Sequence, residues 1–492
     1  MSAPATIGLG AVRDVLRSAD LLLEVRAPGD VAVRGVCQDS RAARPGDLFL
    51  AWGGTKVDAH DFVAEAAARG AAAAVVERAL DVAIPQLVVT NGRRAAALAA
   101  DVVMGYPSRE LRVFGVTGTN GKTTTAILIR HLMGPDVPTA VIGTLGLIDP
   151  SGVRPGSERL TTPGPVQVAV WLRELADGGM SAVVIEASSH ALDQHRLDAI
   201  AFEVVVYTNL SQDHLDYHAD LSEYLAAKLR LVDLAAAAGT VVVNRSDPAW
   251  RALDPKGRAL RSYAIDADAD VSATDVDLSA SGTSFTLRVG AERRHVRTPL
   301  LGRFNVENTL AATTAALAAG VSLDEVVERL AAAPQPSGRL EAVVRSPFTV
   351  LIDFAHTPAG LGSALAAVKP LTRGRLIVVF GAGGDRDRTK RRPMAEAVRR
   401  IADTIVLTSD NPRTEDPEQI LDDLAAGLAG ADFTRITDRR EAIAAALGAA
   451  RPGDTVVLAG KGHETYQVIG TTKVPFDERA VVAECLSGRV AR

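Results

Sequence analysis

Residues 114–133 read FGVTGTNGKTTTAILIRHLM. A β-branched run, a turn rich in glycine and a helix opening at Gly-Lys-Thr-Thr is the layout of a phosphate-binding loop. Gly118, Asn120 and Gly121 can present backbone N–H groups to an anion, and Lys122 adds a mobile positive charge. Thr123 stands at a helix N-terminus, which favours negative charge, and is placed to hold Mg²⁺. The predicted phosphate cradle therefore runs through Gly118, Thr119, Asn120, Gly121, Lys122, Thr123 and Thr124. The strict spacing of the motif puts Val116 where its first glycine belongs. A plain strand-to-helix turn capped by threonines would share some of these residues. The preceding strand, the TGTNGKTTT run and the following helix together meet the context that the motif requires.

Three further residues have chemistry to offer. Glu186 ends the strand-like run SAVVIE, and His214 follows FEVVVYTNLS. Taken singly, each reads more readily as a polar turn residue. Lys228 lies with Leu221, Tyr224, Leu225 and Val232 on one face of a helix predicted over 221–234. A lysine there ordinarily snorkels to the surface.

The elements that must position these groups alternate between strand and helix. Residues 1–110 mix LFLAW, AAAVVE and QLVVT with Ala-rich helical segments. Residues 111–333 carry LRVFGVTG, TAVIGTLG, SAVVIEASS, FEVVVYTNLS and TVVVN, separated by amphipathic stretches. After the Pro-rich junction AAAPQPSGRL, residues 334–492 repeat the alternation with FTVLIDFAH, RLIVVFGAGG, DTIVLTSDNP and DTVVLAGKGHE. Near-continuous β-branched runs between helices predict parallel sheets covered on both faces. The fold class is thus three α/β domains, and ligands are expected at strand carboxyl ends.

Composition narrows the function. Lys+Arg 54 against Asp+Glu 59 gives −5 with no basic block, which argues against a general nucleic-acid partner. The opening MSAPATIGLGAVRDVL lacks a basic region followed by a long apolar run, and the longest Ala/Val/Leu stretches are too short to span a bilayer. Cys37 and Cys485 stand apart with no ligand spacing and read as ordinary reduced thiols. A cytoplasmic protein without membrane insertion, and a monomer, is expected.

The TGTNGKT loop resembles the ATP loop of the Mur ligase and folylpolyglutamate synthetase superfamily, where its shifted glycine is normal. The resemblance extends in order through TTPGP, EASSHALDQHRL, TNLSQDHLDYH, YLAAKLRL, GRFNVENTLAA, SGRLE, DFAHTP, GAGGDRDRTKR, DNPRTEDP and GKGHETYQ. The chain is identified as a member of the Mur ligase family. Two departures are small: Gly164 stands in TTPGP where an acidic residue is common, and KRRPM has an extra basic residue.

The resemblance implies an N-terminal α/β UDP-binding domain, a central parallel-sheet P-loop ATPase-like domain and a C-terminal Rossmann-like α/β domain. It implies ATP-dependent ligation of meso-diaminopimelate to a UDP-linked muramoyl dipeptide, with Mg²⁺, during peptidoglycan precursor synthesis. It assigns Lys122, Lys228, Glu186 and His214 to catalysis. Thr123, Glu186, His214 and Lys228, the last carbamylated by CO₂, fall to the metal. Asn305, Asn308, Arg339, Asp353 and His356 join the ATP site. Ser40, Thr55, Lys56, Val57, Thr161, Thr162, Ser188, Gln194 and Arg196 hold the UDP substrate. Arg391, Asp410, Asn411, Pro412, Arg413, Gly460 and Glu464 hold diaminopimelate. Arg413 suits the second carboxylate that distinguishes diaminopimelate from lysine. GAGGDRD fails the dinucleotide fingerprint, because Arg386 occupies the place of its third glycine. The rivals are a lysine-adding ligase, a folylpolyglutamate-type ligase and a catalytically silent nucleotide-binding homologue.

Overall fold

Strands RVFGVT, AVVIE and FEVVVY place apolar side chains on both faces, and they lie together in the middle of a sheet. The computed structural model describes residues 6–26, 31–54, 57–156, 160–279 and 282–490. Arg112–Thr117 runs parallel between Ala182–Glu186 and Phe202–Tyr207. The register pairs Val116 with Glu186 and Thr117 with Tyr207, so the three strands end at one edge and their loops meet there. Phe114, Val184 and Val206 bury one face of this sheet against helices Lys122–Met133 and Arg303–Ala318. Val113, Ile185 and Val205 bury the other against Pro165–Asp177 and Leu221–Asp233.

The parallel centre matches the sequence pattern, but the sheet continues beyond it. Gly146–Asp149 and Gly152–Arg154 add an antiparallel hairpin at one end. Val271–Ser279, Gly282–Val289 and Glu292–Thr298 make an antiparallel meander at the other. Strands such as ERRHVRT are mostly exposed on one face and carry charge, so a search for continuous apolar runs passes over them.

The N-terminal sheet is ordered Leu22–Arg26, Gln86–Val89, Ala73–Val76, Asp47–Leu50, Gly35–Cys37, parallel except at its first joint. Its helix Gly92–Val103 packs on the central helix Pro165–Asp177. In the third sheet Asp353 pairs with Ala459 and Phe380 with Leu407, all in parallel strands. The loops bearing His356, Glu464, Arg386 and Arg413 therefore leave one edge together. Cys37 and Cys485 are free. No helix among the described residues is long and apolar enough to cross a membrane.

Candidate active site

The phosphate loop is built by its neighbours as much as by its own glycines. Gly118 has a φ of +143°, and a Cβ there would collide with the Thr208 hydroxyl and the Asn209 backbone. The TNLS segment grips the loop from that side. Asn120 N donates to Asn209 Oδ1 at 2.9 Å, Thr119 N to Asn209 O at 2.7 Å, and Thr208 Oγ1 to Asn120 O at 2.7 Å. Behind the loop, Asn308 Nδ2 donates to Asn305 Oδ1 at 3.0 Å, and Asn308 Oδ1 accepts from Thr125 Oγ1 at 3.5 Å. These two asparagines brace the turn at Gly121.

Lys122 Nζ curls back onto the carbonyls of Gly118 and Thr119, 2.9 Å from each. Lys228 Nζ donates to the same Gly118 carbonyl at 2.9 Å and lies 4.3 Å from the Tyr224 ring centroid. The snorkelling position expected of a helical lysine is not what the structure shows: Lys228 is 1% exposed. Its helix is rotated so that Tyr224, Lys228 and Val232 point inward while Leu221 is exposed. Burial first, and the charge of Lys122 second, drive the Lys228 pKa well below its ordinary value. Burial lowers that of Lys122 as well.

Thr123 is where two sheets meet. Its hydroxyl donates to Glu186 Oε2 at 2.9 Å and accepts from Arg339 Nη2, of the third domain, at 3.2 Å. Thr144 steadies the carboxylate, giving its backbone N to Oε1 at 3.0 Å and its hydroxyl to Oε2 at 2.9 Å. Asp353 accepts from the backbone N of Leu340 at 2.7 Å and of Ala355 at 2.8 Å, which fixes the segment that carries Arg339. His356 Nδ1 donates to Phe354 O at 2.7 Å, leaving Nε2 3.9 Å from Asp213. Asp213 also faces Lys390 Nζ at 3.2 Å and His214 Nε2 at 3.6 Å. Burial pushes the His214 pKa down to about 3, outweighing the pull of Asp213, so the imidazole is neutral at physiological pH.

The donor set suits a hard cation. Thr123 and Glu186 supply oxygen at the mouth of the loop. Mg²⁺ takes one or two such groups together with waters and phosphate oxygens. Among the described residues no three His, Cys, Asp or Glu side chains form a preformed metal cage. Lys228, as an amine, brings no oxygen, and fits a cation only after conversion to an anion.

Five of the residues expected at the UDP substrate come together. Thr162 Oγ1 donates to Glu186 O at 2.5 Å and accepts from Ser188 N at 3.0 Å. Arg196 reaches Thr162 O at 2.6 Å and Gln194 Oε1 at 2.6 Å. The Thr161 hydroxyl lies 3.4 Å from that of Thr144. Gln194 and Arg196 line a 170 Å³ cavity with Gln38, Trp52 and Arg93 of the N-terminal domain. Ser40 is buried and gives its hydroxyl to Glu65 at 2.9 Å, and Val57 is exposed. Thr55 and Lys56 lie outside the described residues.

This geometry has known counterparts. Residues 32–112 match the family described as Mur ligase family, catalytic domain; 116–316 match Mur ligase middle domain; and 338–462 match Mur ligase, glutamate ligase domain. The UDP-N-acetylmuramoyl-L-alanyl-D-glutamate--2,6-diaminopimelate ligase of Gloeobacter violaceus is 42% identical, over 96% of this chain and 97% of its own. The chain belongs to the Mur ligase family. The protein of the same name from Geobacillus thermodenitrificans is also 42% identical, over 94% of this chain and 97% of its own. A solved structure of a UDP-N-acetylmuramoyl-L-alanyl-D-glutamate--2,6-diaminopimelate ligase superposes with a TM-score of 0.69 at 34% identity, covering 99% of this chain and 100% of that one. Mycobacterium tuberculosis folylpolyglutamate synthase complexed with ADP shares the fold at 21% identity and a TM-score of 0.64, over 74% and 91% of the two chains.

At the far end of this Mur ligase the DNPR loop follows strand Thr404–Leu407. Arg413 is held at φ +52°, its backbone N bonded to Val468 O at 3.0 Å and one guanidinium nitrogen to Gly384 O at 2.6 Å. Burial first, and the Arg386 charge second, pull its pKa below the ordinary value, against the opposing pull of Asp410, Glu464 and Asp385. Gly460 has a φ of +116°, and a Cβ there would run into the Asp410 carboxylate. Pro412 is buried in the turn. Arg391, also expected at the amino acid, is buried among carboxylates of its own domain. It is 1% exposed and spans Glu415, at 2.9 Å, and Asp423, at 2.8 Å. Arg386, the very residue that breaks the dinucleotide fingerprint, is exposed near Arg413 and donates to Asp385 O at 2.9 Å. Sequence reasoning also passed over Asn209, Thr208, Asp213, Lys390 and Lys461. The motifs TNLSQDH, GGDRDRTK and GKGHE hold them all, but spacing does not tell which member of a motif packs inward to hold the loops.

Proposed function

We propose that this Mur ligase joins the D-glutamyl γ-carboxyl of UDP-N-acetylmuramoyl-L-alanyl-D-glutamate to an amino group of meso-diaminopimelate, using ATP, in cytoplasmic peptidoglycan precursor synthesis. The full-length relatives that carry that name support the reading. The observation that carries the amino-acid assignment is the Arg413 guanidinium held on Gly384 O at the loop edge that also bears Asp410 and Glu464, whose charges act on it. A guanidinium beside carboxylates suits one end of a molecule bearing both a carboxylate and an ammonium. Lysine has no carboxylate at that end for Arg413 to meet. Domains 1–110, 111–333 and 334–492 then hold the UDP-sugar, the ATP and the amino acid, and one chain supplies every residue, as in a monomer.

In the mechanism, Lys122 leaves the Gly118 and Thr119 carbonyls for the β- and γ-phosphates of ATP. The loop amides and Arg339 neutralise charge on the transferring group. A γ-carboxylate oxygen of the dipeptide attacks the γ-phosphorus and ADP leaves, giving an acyl phosphate. The diaminopimelate amine attacks the acyl carbon, loses a proton, and the tetrahedral adduct expels phosphate. Thr161, Thr162, Ser188, Gln194 and Arg196 orient the dipeptide and its pyrophosphate. Arg386, Arg413, Asp410 and Glu464 orient the amino acid. Arg339 and His356 come from the third domain, so domain closure completes the site.

Thr123, Glu186 and His214 would hold Mg²⁺. When bound, Mg²⁺ supplies charge neutralisation on the transferring phosphoryl group. Lys228 adds CO₂ through its neutral amine, the form that its burial favours. An N–C bond forms and a proton leaves, and the resulting carbamate would give Lys228 oxygens with which to help hold Mg²⁺. The test is phosphate release from ATP that requires both the UDP-dipeptide and meso-diaminopimelate.

A further inference from the structure

A set of buried charges behind the amino-acid loops takes part in none of these steps. Lys461 has no exposed surface. Its Nζ donates to Glu464 Oε2 at 2.9 Å and to Asn411 Oδ1 at 3.2 Å, with Asp410 Oδ1 3.9 Å away. Asn411 relays the connection. Its Nδ2 donates to the same Glu464 oxygen at 2.9 Å, and its Oδ1 accepts from Val468 N at 2.9 Å, in the hairpin that also holds the Arg413 backbone. Both ends of the Asn411 amide are therefore taken by protein.

A second buried cation stands one layer back. Arg439 and Glu478 pair with no exposed side-chain surface on either. Arg439 donates to Ala459 O at 2.9 Å and to Ser409 O at 3.4 Å, the residues just before Gly460 and Asp410. It thus ties together the ends of the two strands from which the amino-acid loops depart.

We propose that Lys461 is a positioning residue for amino-acid selection: from inside the core it sets the Glu464 carboxylate and, through Asn411, the hairpin that backs Arg413, without touching substrate. The proposal rests on the amino-acid site described above. Without the lysine, Glu464 would keep the Asn411 amide but lose the ammonium that contacts it from inside the core, and a carboxylate that loses a buried counter-charge moves toward water or takes up a proton. Either change alters the spacing of the groups that meet the substrate ammonium.

Lys461→Met removes the charge and keeps most of the volume. Steady-state kinetics of the full chain, with each substrate varied in turn, should show the KM for meso-diaminopimelate rising on the order of 10- to 100-fold. The KM values for ATP and the UDP-dipeptide should stay close to wild type. A diaminopimelate KM that does not change, or one that rises together with that for ATP, overturns the proposal. Should Lys461→Met fail to fold, Lys461→Gln, which keeps a donor for Glu464 and Asn411 but not the charge, carries the same test. Failure of the functional reading looks different. The wild type would then release no phosphate with diaminopimelate, and the same kinetic split would be read on lysine, or on whichever amino acid does support turnover.

Discussion

Lys122 and Lys228 donate to one carbonyl oxygen, that of Gly118, each at 2.9 Å. Two buried ammonium groups on one acceptor repel each other, and a full charge on both is costly. The arrangement is resolved if Lys122 moves onto phosphate and Lys228 becomes an anion. The shared carbonyl is a contact that both residues would leave under the proposed mechanism.

Lys122→Ala should abolish product formation, because the β- and γ-phosphates lose their mobile charge while the loop keeps its support from Asn209 and Thr208. Initial rates at saturating ATP and Mg²⁺ check this. Near-normal turnover would overturn the phosphate-loop assignment.

Lys228→Ala should fold and be inactive, and a small carboxylic acid should restore part of the activity by filling the anion site. The direct readout is ¹³C NMR at neutral pH under labelled CO₂, which should show a carbamate signal in wild type and none in Lys228→Ala. An active, Mg²⁺-loaded enzyme with unmodified Lys228 contradicts the carbamate. Mass measurement in acid is unsuitable, because carbamates are lost at low pH.

Arg413→Ala should weaken meso-diaminopimelate and leave ATP alone. Breaking one side of a buried charge pair costs about 2–5 kcal/mol, so the KM for diaminopimelate should rise roughly 30-fold or more. The variant should not become a good lysine ligase, because removing a selective contact builds no new pocket. Equal losses for ATP and diaminopimelate would remove Arg413 from specificity.

Asp101 gives a pH signature of stability away from the active site. It sits in helix Gly92–Val103, 7% exposed, accepting from Ser108 Oγ at 3.1 Å. Burial pushes its pKa up to about 6 from 3.8. Between those values the folded group holds a proton that the unfolded group has released. Its contribution therefore lowers stability as pH rises through that window, by up to about 3 kcal/mol above it. Asp101→Asn should melt higher than wild type at pH 8, with the difference shrinking toward pH 4. A difference that is constant from pH 4 to pH 8 would show that folding does not raise the Asp101 pKa.

Much of this site was legible in the sequence because strand carboxyl ends and motif order locate loops. The strands ending at Thr117, Glu186 and Tyr207 were each visible as β-branched runs, and their common edge followed from parallel pairing. Side-chain direction was not legible. Arg386 and Arg391 are both arginines near the same Gly-rich loop, and only the positions of Glu415 and Asp423 show that Arg391 is buried between carboxylates while Arg386 is exposed. Lys228 and Lys461 look like surface lysines in one dimension. Their burial depends on residues distant in sequence, Gly118 for one and Asn411 for the other. The antiparallel strands at the sheet edges were missed for a related reason, since one-sided strands carry polar residues that break the apolar run.

The central claim is amide ligation to diaminopimelate driven by ATP. Its most direct measurement is inorganic phosphate release by the full chain, with ATP, Mg²⁺ and UDP-N-acetylmuramoyl-L-alanyl-D-glutamate fixed and the amino acid varied. The account predicts phosphate and UDP-tripeptide in equal amounts with meso-diaminopimelate, and little of either with L-lysine or with no amino acid. Release that favours lysine, or that is the same whether or not an amino acid is present, would contradict it.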